Sequence, residues 1–153
     1  MDALIAQEPD NPYLYELKGQ FKFEKGQMDE AIQNYQKALS LTDAPLIRIA
    51  LAQSLLEKGD KKDAEAALRH LEVAVFQEGD TGLPWRLMAT AYDRMDKHDL
   101  SQYAMARYYY ATGKTKQAKA TAEKVIKKLD KNSIAYQRVD DLLVRIKSDE
   151  KDD

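Results

Sequence analysis

Histidines and cysteines are the first residues to examine for chemistry, and this chain has only His70, His98 and no cysteine. A zinc peptidase of the HExxH type needs two histidines one helical turn apart, with a glutamate after the first. Leu-Glu-Val-Ala follows His70 and Asp-Leu-Ser-Gln follows His98, so neither begins that pattern. Without cysteine, thiolate metal sites and a cysteine nucleophile are excluded. We therefore predict no catalytic residue, no metal site and no cofactor, and interpret both histidines as helix or turn residues.

The second candidate for chemistry is a lysine-rich stretch, which carries seven lysines from Lys114 to Lys131 against Glu123 and Asp130. Such a stretch can dock an acidic partner or lipid head groups, or it can be the solvated face of an amphipathic helix. No aromatic residue interrupts the lysines to stack on bases, and the net charge is −2. Nucleic acid is therefore not a predicted partner, and the solvated face is the favoured interpretation.

Three consecutive tyrosines, Tyr108 to Tyr110, form the third candidate. On a helix they point about 100° apart, so they cannot all be buried together. Tyr108 occupies a packing position and is predicted to be core. Tyr110 is predicted to reach a binding groove.

The elements that position these residues are helices, because apolar residues recur at spacings of three and four and few glycines or prolines interrupt them. The chain is therefore predicted to be all-α. No apolar run approaches the roughly 18 residues that a membrane-spanning helix needs, so direct membrane insertion is not predicted. The expected helices are 12–24, 28–41, 44–57, 61–77, 83–95, 99–111, 114–129 and 132–148.

Internal repetition organises these helices. Gly26 and Gly59 each end a Lys-Gly turn, 33 residues apart, and Gly113 marks a further turn. After the turns come helices with alanine, a large residue four positions later and a small residue three beyond it. Alanines at this spacing leave hollows on one helix face, so that neighbouring helices can approach closely. The matching triplets are Ala31-Tyr35-Ala38, Ala67-Leu71-Ala74, Ala104-Tyr108-Ala111 and, more weakly, Ala118-Ala122-Val125.

These features resemble a tetratricopeptide repeat (TPR) array. The turn glycines match that motif, as do Gly19, Ala52 and Ala89 at its small position and Trp85 at its leading aromatic position. About three extra residues are expected between Gly59 and Ala67. The resemblance implies a right-handed α-solenoid of about eight helices, in one domain over 1–153. Its expected segments are 1–9 as the tail of a preceding helix and pairs over 12–41, 44–77, 83–111 and 114–148, although helix 99–111 also suits the first position of a pair.

Longer strings resemble one family more specifically. The stretches ALIAQEPDNPYLYELKGQ, APLIRIALAQSLLEKGD, LRHLEVAVFQE and PWRLMATAYDR are similar to the C-terminal TPR domain of zinc metallopeptidases of the BepA/YfgC type. In that family an HExxH protease domain precedes the repeats, which lie in the periplasm and help to engage outer-membrane assembly substrates. The resemblance implies a detached, non-catalytic recognition domain in the periplasm; without it, a cytoplasmic location would be expected. The alternative is a stand-alone scaffold that either self-associates weakly through its end helices or assembles a protein complex.

A TPR array binds its protein or peptide ligand on the first helix of each pair, which lines the concave side. Carried over to this sequence, those positions are mixed in charge, with acidic and amide groups first and arginines later. They are Glu16, Gln20, Phe23 and Glu24; Ile49, Gln53, Leu56 and Glu57; and Arg86, Thr90, Asp93 and Arg94, with Tyr110 as an addition. Phe23 and Leu56 are the expected apolar anchors.

Overall fold

The computed structural model describes residues 1–79 and 81–152, the last of these by its backbone alone. Over these residues the structure has nine helices and no strand, which confirms the all-α prediction. The helices are α1 (Asp2–Gln7), α2 (Pro12–Glu24), α3 (Met28–Leu41), α4 (Pro45–Lys58), α5 (Lys61–Glu78), α6 (Gly82–Arg94), α7 (His98–Ala111), α8 (Thr115–Ile126) and α9 (Ile134–Asp152). Where the sequence predicts one domain, the chain divides into two compact units, Met1–Gly79 and Asp80–Asp153.

Helix starts follow from local chemistry. Pro12 and Pro45 each occupy the first turn of their helix, where a missing N–H costs nothing and the fixed φ favours helix. The Asn11 side chain accepts a hydrogen bond from the Tyr13 backbone N–H at 3.1 Å and so caps α2. Asp29 and Glu30 in the first turn of α3 favour that helix through its dipole.

In the first unit, consecutive helices pack in order from α2 to α5, and α2 also touches α4. Ala31 and Ala38 are fully buried on α3, and Tyr35 between them is 4% exposed. A Cβ added at Gly19 would lie 2.9 Å from two ring carbons of Tyr35. The absence of a side chain at Gly19 is therefore what lets α2 sit directly on the tyrosine ring, as the alanine spacing predicts.

The three extra residues of the second pair lie between Gly59 and Ala67, as predicted, and the structure places them within α5. Both α3 and α5 begin two residues after their turn glycines, Gly26 and Gly59, so the turn itself carries no insertion. The extra residues belong to the helix: α5 has 18 residues where α3 has 14, and Ala67 is the seventh residue of α5 whereas Ala31 is the fourth residue of α3. The predicted triplet on α5, Ala67-Leu71-Ala74, is fully buried.

In the second unit, α7 is the central helix and packs against α6, α8 and α9. Trp85 on α6 is 6% exposed and meets Tyr103 of α7 edge to face, with ring centroids 5.9 Å apart. The Arg107 guanidinium lies over the indole at 4.3 Å and donates to the Tyr103 hydroxyl at 3.2 Å. Trp85 is thus a packing residue of the unit, held by an edge-to-face aromatic contact and a cation–π contact.

Three interhelical turns share one hydrogen-bond pattern, and one of them lacks glycine. After α2, α6 and α7 a residue with positive φ follows the helix: Gly26 at 72°, Asp96 at 60° and Gly113 at 74°. In each case the next backbone N–H, that of Gln27, Lys97 or Lys114, reaches back five residues to a helix carbonyl. This is the Schellman closure of a helix C-terminus. Asp96 was missed in the sequence because the turn was sought through glycine, although aspartate also tolerates this conformation.

Candidate binding surface

The predicted positions on α2 form one face, because Glu16, Gln20 and Glu24 follow one another at intervals of four residues. Gln20 and Glu24 are exposed, Glu16 and Phe23 are half-buried, and the Gln20 amide donates to a Glu24 carboxylate oxygen at 3.1 Å. Burial, together with the nearby Glu16 and Glu24 carboxylates, raises the pKa of Tyr35 to about 12. The phenol therefore stays neutral, and the face above it is acidic.

On α4 the structure separates the predicted residues into two kinds. Glu57 is exposed and Gln53 half-buried, so both can contact a ligand. Leu56 is 3% exposed and Ile49 is 6% exposed, so both are core side chains and neither is an open anchor for a ligand. The reason is that α4 packs against α2, α3 and α5 and so buries a wider arc than an outer helix. The remaining apolar group of the predicted set in this unit is Phe23.

The face of the first unit is acidic because its neighbouring cations are engaged elsewhere. Lys22 pairs with Glu30 at 2.6 Å, and Lys58 pairs with Asp29 at 2.8 Å. Within residues 1–79 no ion pair involves Glu16, Glu24 or Glu57. A ligand for this face would present cations or N–H donors.

In the second unit, Arg86, Thr90 and Arg94 follow one another at intervals of four residues on α6, and all are exposed. The Thr90 hydroxyl donates to the Arg86 carbonyl at 3.3 Å, whereas Asp93 meets His98 Nδ1 at 3.2 Å. Neither arginine has an ion pair among the described residues of its unit. This face, which we call the α6 arginine face, offers two planar guanidinium groups to carboxylates or backbone carbonyls.

The three tyrosines of α7 are all half-buried. Tyr108, predicted to be core, faces the start of α6, where a Cβ on Gly82 would lie 3.4 Å from its ring. The Tyr110 hydroxyl donates to a carboxylate oxygen of Asp149 on α9 at 2.5 Å. Tyr110 therefore links two helices of the second unit, and its place in a ligand groove stays a prediction.

The lysine-rich stretch is partly structural. Lys119 on α8 pairs with Glu150 on α9 at 2.8 Å, and this hydrogen bond and charge raise the pKa of Lys119. Lys114 lies 6.0 Å from the ring centre of Tyr108. Lys124 lines a groove of about 320 Å³ between α7 and α8, together with Gln102, Met105 and Tyr109. This groove was missed in the sequence because its walls come from two helices whose register the sequence leaves open.

A polar cluster in the first unit was also missed. The Arg48 guanidinium donates to Asp43 at 2.7 and 2.9 Å and lies 3.3 Å from His70 Nδ1, while the Gln77 amide donates to Asp43 at 2.9 Å. Burial first, and then Arg48 and Arg69, lower the pKa of His70. The cluster ties the loop before α4 to α5. Its members lie up to 34 positions apart, so no local pattern indicates it.

The described residues also bear on metal binding and on membrane insertion. No group of three or more histidine, aspartate or glutamate side chains among them is placed to hold a metal ion. Across the same residues, every helix is too short or too polar to cross a membrane.

Paired helices, small residues at the contacts and repeated Schellman turns define a helical-repeat protein of the TPR class. The chain belongs to the tetratricopeptide repeat family: sequence profiles of that repeat match residues 22–78 and 100–127, more than half of the chain. The second match begins in α7, which it treats as the first helix of a repeat. The chain is thus a TPR protein-interaction module.

Individual proteins that are similar to this chain match different shares of it. The Escherichia coli K12 protein named Beta-barrel assembly-enhancing protease is 24% identical over 140 residues, 92% of this chain but 28% of that protein. The human Protein O-mannosyl-transferase TMTC1 is 33% identical over 82 residues, 53% of this chain and 9% of that protein. The chain therefore spans little more than a quarter of the first relative. The crystal structure of MamA superposes with a TM-score of 0.70 over 99% of this chain and 85% of that one, at 14% identity, which supports the fold alone.

Proposed function

We propose that this chain is a non-catalytic docking domain, which binds a substrate or partner protein for a bacterial envelope zinc metallopeptidase. One observation carries the proposal: the similarity to Beta-barrel assembly-enhancing protease extends over 92% of this chain and stays within 28% of that protein. An alignment that covers nearly all of this chain but only a small part of the relative is expected when the two proteins share a recognition region. The catalytic region of the relative then lies outside the aligned part. The proposed compartment is the periplasm, on the same similarity.

The exposed faces of the two units supply suitable chemistry. The α2–α4 side carries Glu16, Gln20 and Glu57, and α6 carries two arginines. Side chains of this kind recognise an extended peptide through amide and carboxylate contacts to its backbone and through charge pairing. A β-strand precursor of an outer-membrane barrel, with about ten residues of alternating polarity, is a ligand of the right chemistry.

The test is direct peptide binding, measured by fluorescence anisotropy. The probes are labelled peptides of alternating apolar and polar residues, one series with glutamate and one with glutamine at the polar positions. Arg86→Ala with Arg94→Ala should weaken binding of the glutamate series by about fivefold or more, because each lost charge contact is worth on the order of 1 kcal/mol. The melting temperature should change little, since both side chains are exposed.

The matched control removes two other exposed arginines, Arg69→Ala with Arg138→Ala, and so changes the net charge equally. An equal loss in the control would show a general charge effect and reject the α6 arginine face. Absence of binding by the wild-type chain to either series would reject the docking function itself.

A second candidate function, a self-associating scaffold, is favoured by a separate observation. Tyr13, Leu17 and Phe21 lie along one face of α2 and are 63%, 52% and 45% exposed. An exposed apolar stripe of this kind is suited to a protein contact. Light scattering over a range of concentrations tests it: a mass that rises with concentration and is lowered by Leu17→Lys supports the scaffold, and a constant monomer mass rejects it.

A further inference from the structure

A groove between α7 and α8 is lined by none of the residues predicted for the partner-binding groove, although its Lys124 belongs to the lysine-rich stretch. Gln102, Met105 and Tyr109 line it from α7 at spacings of three and four, and Ala120, Thr121 and Lys124 line it from α8. The volume of about 320 Å³ is at the lower end of the range for ligand pockets, enough for one or two side chains. The small Ala120 and Thr121 side chains leave the space open, and Met105 and Tyr109 give it apolar walls.

One residue that lines this groove carries a buried polar atom without a hydrogen-bond partner among the described residues. The Gln102 carboxamide oxygen is buried and has no hydrogen-bond partner in the described part of the chain. A buried acceptor without a donor destabilises a protein, and such groups are rare in folded chains. The oxygen has almost no accessible surface, so a backbone N–H of an incoming peptide would reach it, and recover the lost hydrogen bond, once the Gln102 side chain rotates toward the groove.

The charge at the rim is positive. Lys124 is exposed, lines the groove and has no ion pair among the described residues, and the exposed Lys127 and Lys128 follow in the turn after α8. The neighbouring carboxylate, Glu123, acts on Lys119, whose pKa it helps to raise. Lys119 in turn is paired with Glu150. The ammonium group left available to a ligand at the groove is therefore that of Lys124.

We propose that the α7–α8 groove is a second peptide-binding site, which takes an extended protein segment with an apolar side chain next to an acidic one. The apolar side chain packs between Met105 and Tyr109, the carboxylate pairs with Lys124, and a backbone N–H donates to the Gln102 oxygen. None of these residues belongs to the α6 arginine face. The two proposals can therefore fail separately.

The test uses the full chain and short peptides, acetylated and amidated, with a Leu-Glu pair in a Ser-Gly background. Leu-Gln and Ser-Glu versions are the ligand controls. Binding is followed by amide NMR titration, in which the Gln102 side-chain amide and the backbone signals around Met105 and Lys124 should shift with the Leu-Glu peptide most strongly. The Arg86→Ala/Arg94→Ala variant should bind this peptide as the wild type does.

Two substitutions test the proposed contacts directly. Gln102→Met keeps the shape but removes the unsatisfied acceptor, so the thermal midpoint should stay level or rise while the peptide dissociation constant rises about fivefold. Lys124→Ala should raise that constant about two- to fivefold for the Leu-Glu peptide and leave the Leu-Gln peptide unaffected. The control is Lys116→Ala, which removes an exposed ammonium from the same helix without touching the groove.

Three outcomes would overturn the proposal. The first is a loss of stability in Gln102→Met with unchanged binding, which would make the residue structural. The second is an equal effect of Lys116→Ala and Lys124→Ala. The third is shifting of the groove signals on concentration of the protein alone, which would assign the groove to a second copy of the chain.

Discussion

Gly19 provides the sharpest test of how the helices of the first unit pack. In an isolated helix, Gly19→Ala would stabilise by about 1 kcal/mol, because glycine is the more flexible residue in the unfolded chain. In this structure the new Cβ would lie 2.9, 2.9 and 3.1 Å from three ring carbons of Tyr35. Carbon atoms normally approach to about 3.5–4.0 Å, so the ring or the helix must move by more than half an ångström.

Tyr35 has little room for that movement, since it is 4% exposed between two fully buried alanines. Overpacking of this kind costs about 1–3 kcal/mol. After the propensity gain is subtracted, we expect Gly19→Ala to destabilise the protein by about 1 kcal/mol. In a Tyr35→Leu background the obstacle is gone, and the same change should stabilise by up to about 1 kcal/mol. The coupling between the two sites is therefore about 2 kcal/mol.

The measurement is a double-mutant cycle in urea, followed by far-UV circular dichroism. Trp85, the single tryptophan, lies in the second unit, so its fluorescence gives a separate record of that unit. Stabilisation by Gly19→Ala of the same size in both backgrounds would mean zero coupling. That result would show that the tyrosine ring does not constrain α2, and it would refute the close-packing argument.

Two further predictions concern a turn and a histidine. Gly113→Ala should destabilise the protein by about 1–2 kcal/mol, because φ is 74° at this position and alanine is strained there. No described atom lies within 4 Å of the new Cβ, so the backbone strain alone causes the effect. The urea midpoint should be lower in the variant, and an unchanged midpoint would show that the turn tolerates alanine. The pKa of His70 is lowered in the folded chain, so the unfolded chain binds the proton more readily. The free energy of unfolding should therefore fall as the pH drops from about 6.5, the ordinary pKa of histidine, toward the lower pKa of His70 in the folded chain. Thermal midpoints measured across this pH range should fall less in His70→Gln than in the wild type. An identical pH profile in the variant would contradict the assignment to His70.

The helices themselves were predictable because the local chemistry is strong. Prolines at the starts of α2 and α4 and the alanine spacing on α3 and α5 fix helix bounds close to those observed. The alanine triplets on α3 and α5 predicted their own burial, since small residues at that interval are useful only where another helix approaches. The turn at Asp96 was harder to predict, because its left-handed conformation occurs without the glycine that usually signals it.

The binding surface depends much more on tertiary contacts. Leu56 occupies a ligand-facing position of the repeat and yet is buried, since α4 packs against three other helices. Tyr110 and Lys119 look available in the sequence, but each bonds to a residue of α9, 39 and 31 positions further on. Repeat spacing reports which face a residue lies on. It does not report how many helices cover that face.

The sequence by itself determined the all-α class, the TPR repeat and the small residues at the helix contacts, because these follow from interactions within a few turns of one chain segment. The tertiary structure decided which polar groups remain without partners. Among the described residues, the Gln102 oxygen has no hydrogen-bond partner and Lys124 has no ion pair, because of how α7, α8 and α9 lie beside one another. Hydrogen bonds and ion pairs require contact within a few ångströms, so the availability of these groups to a ligand is set by the packed fold.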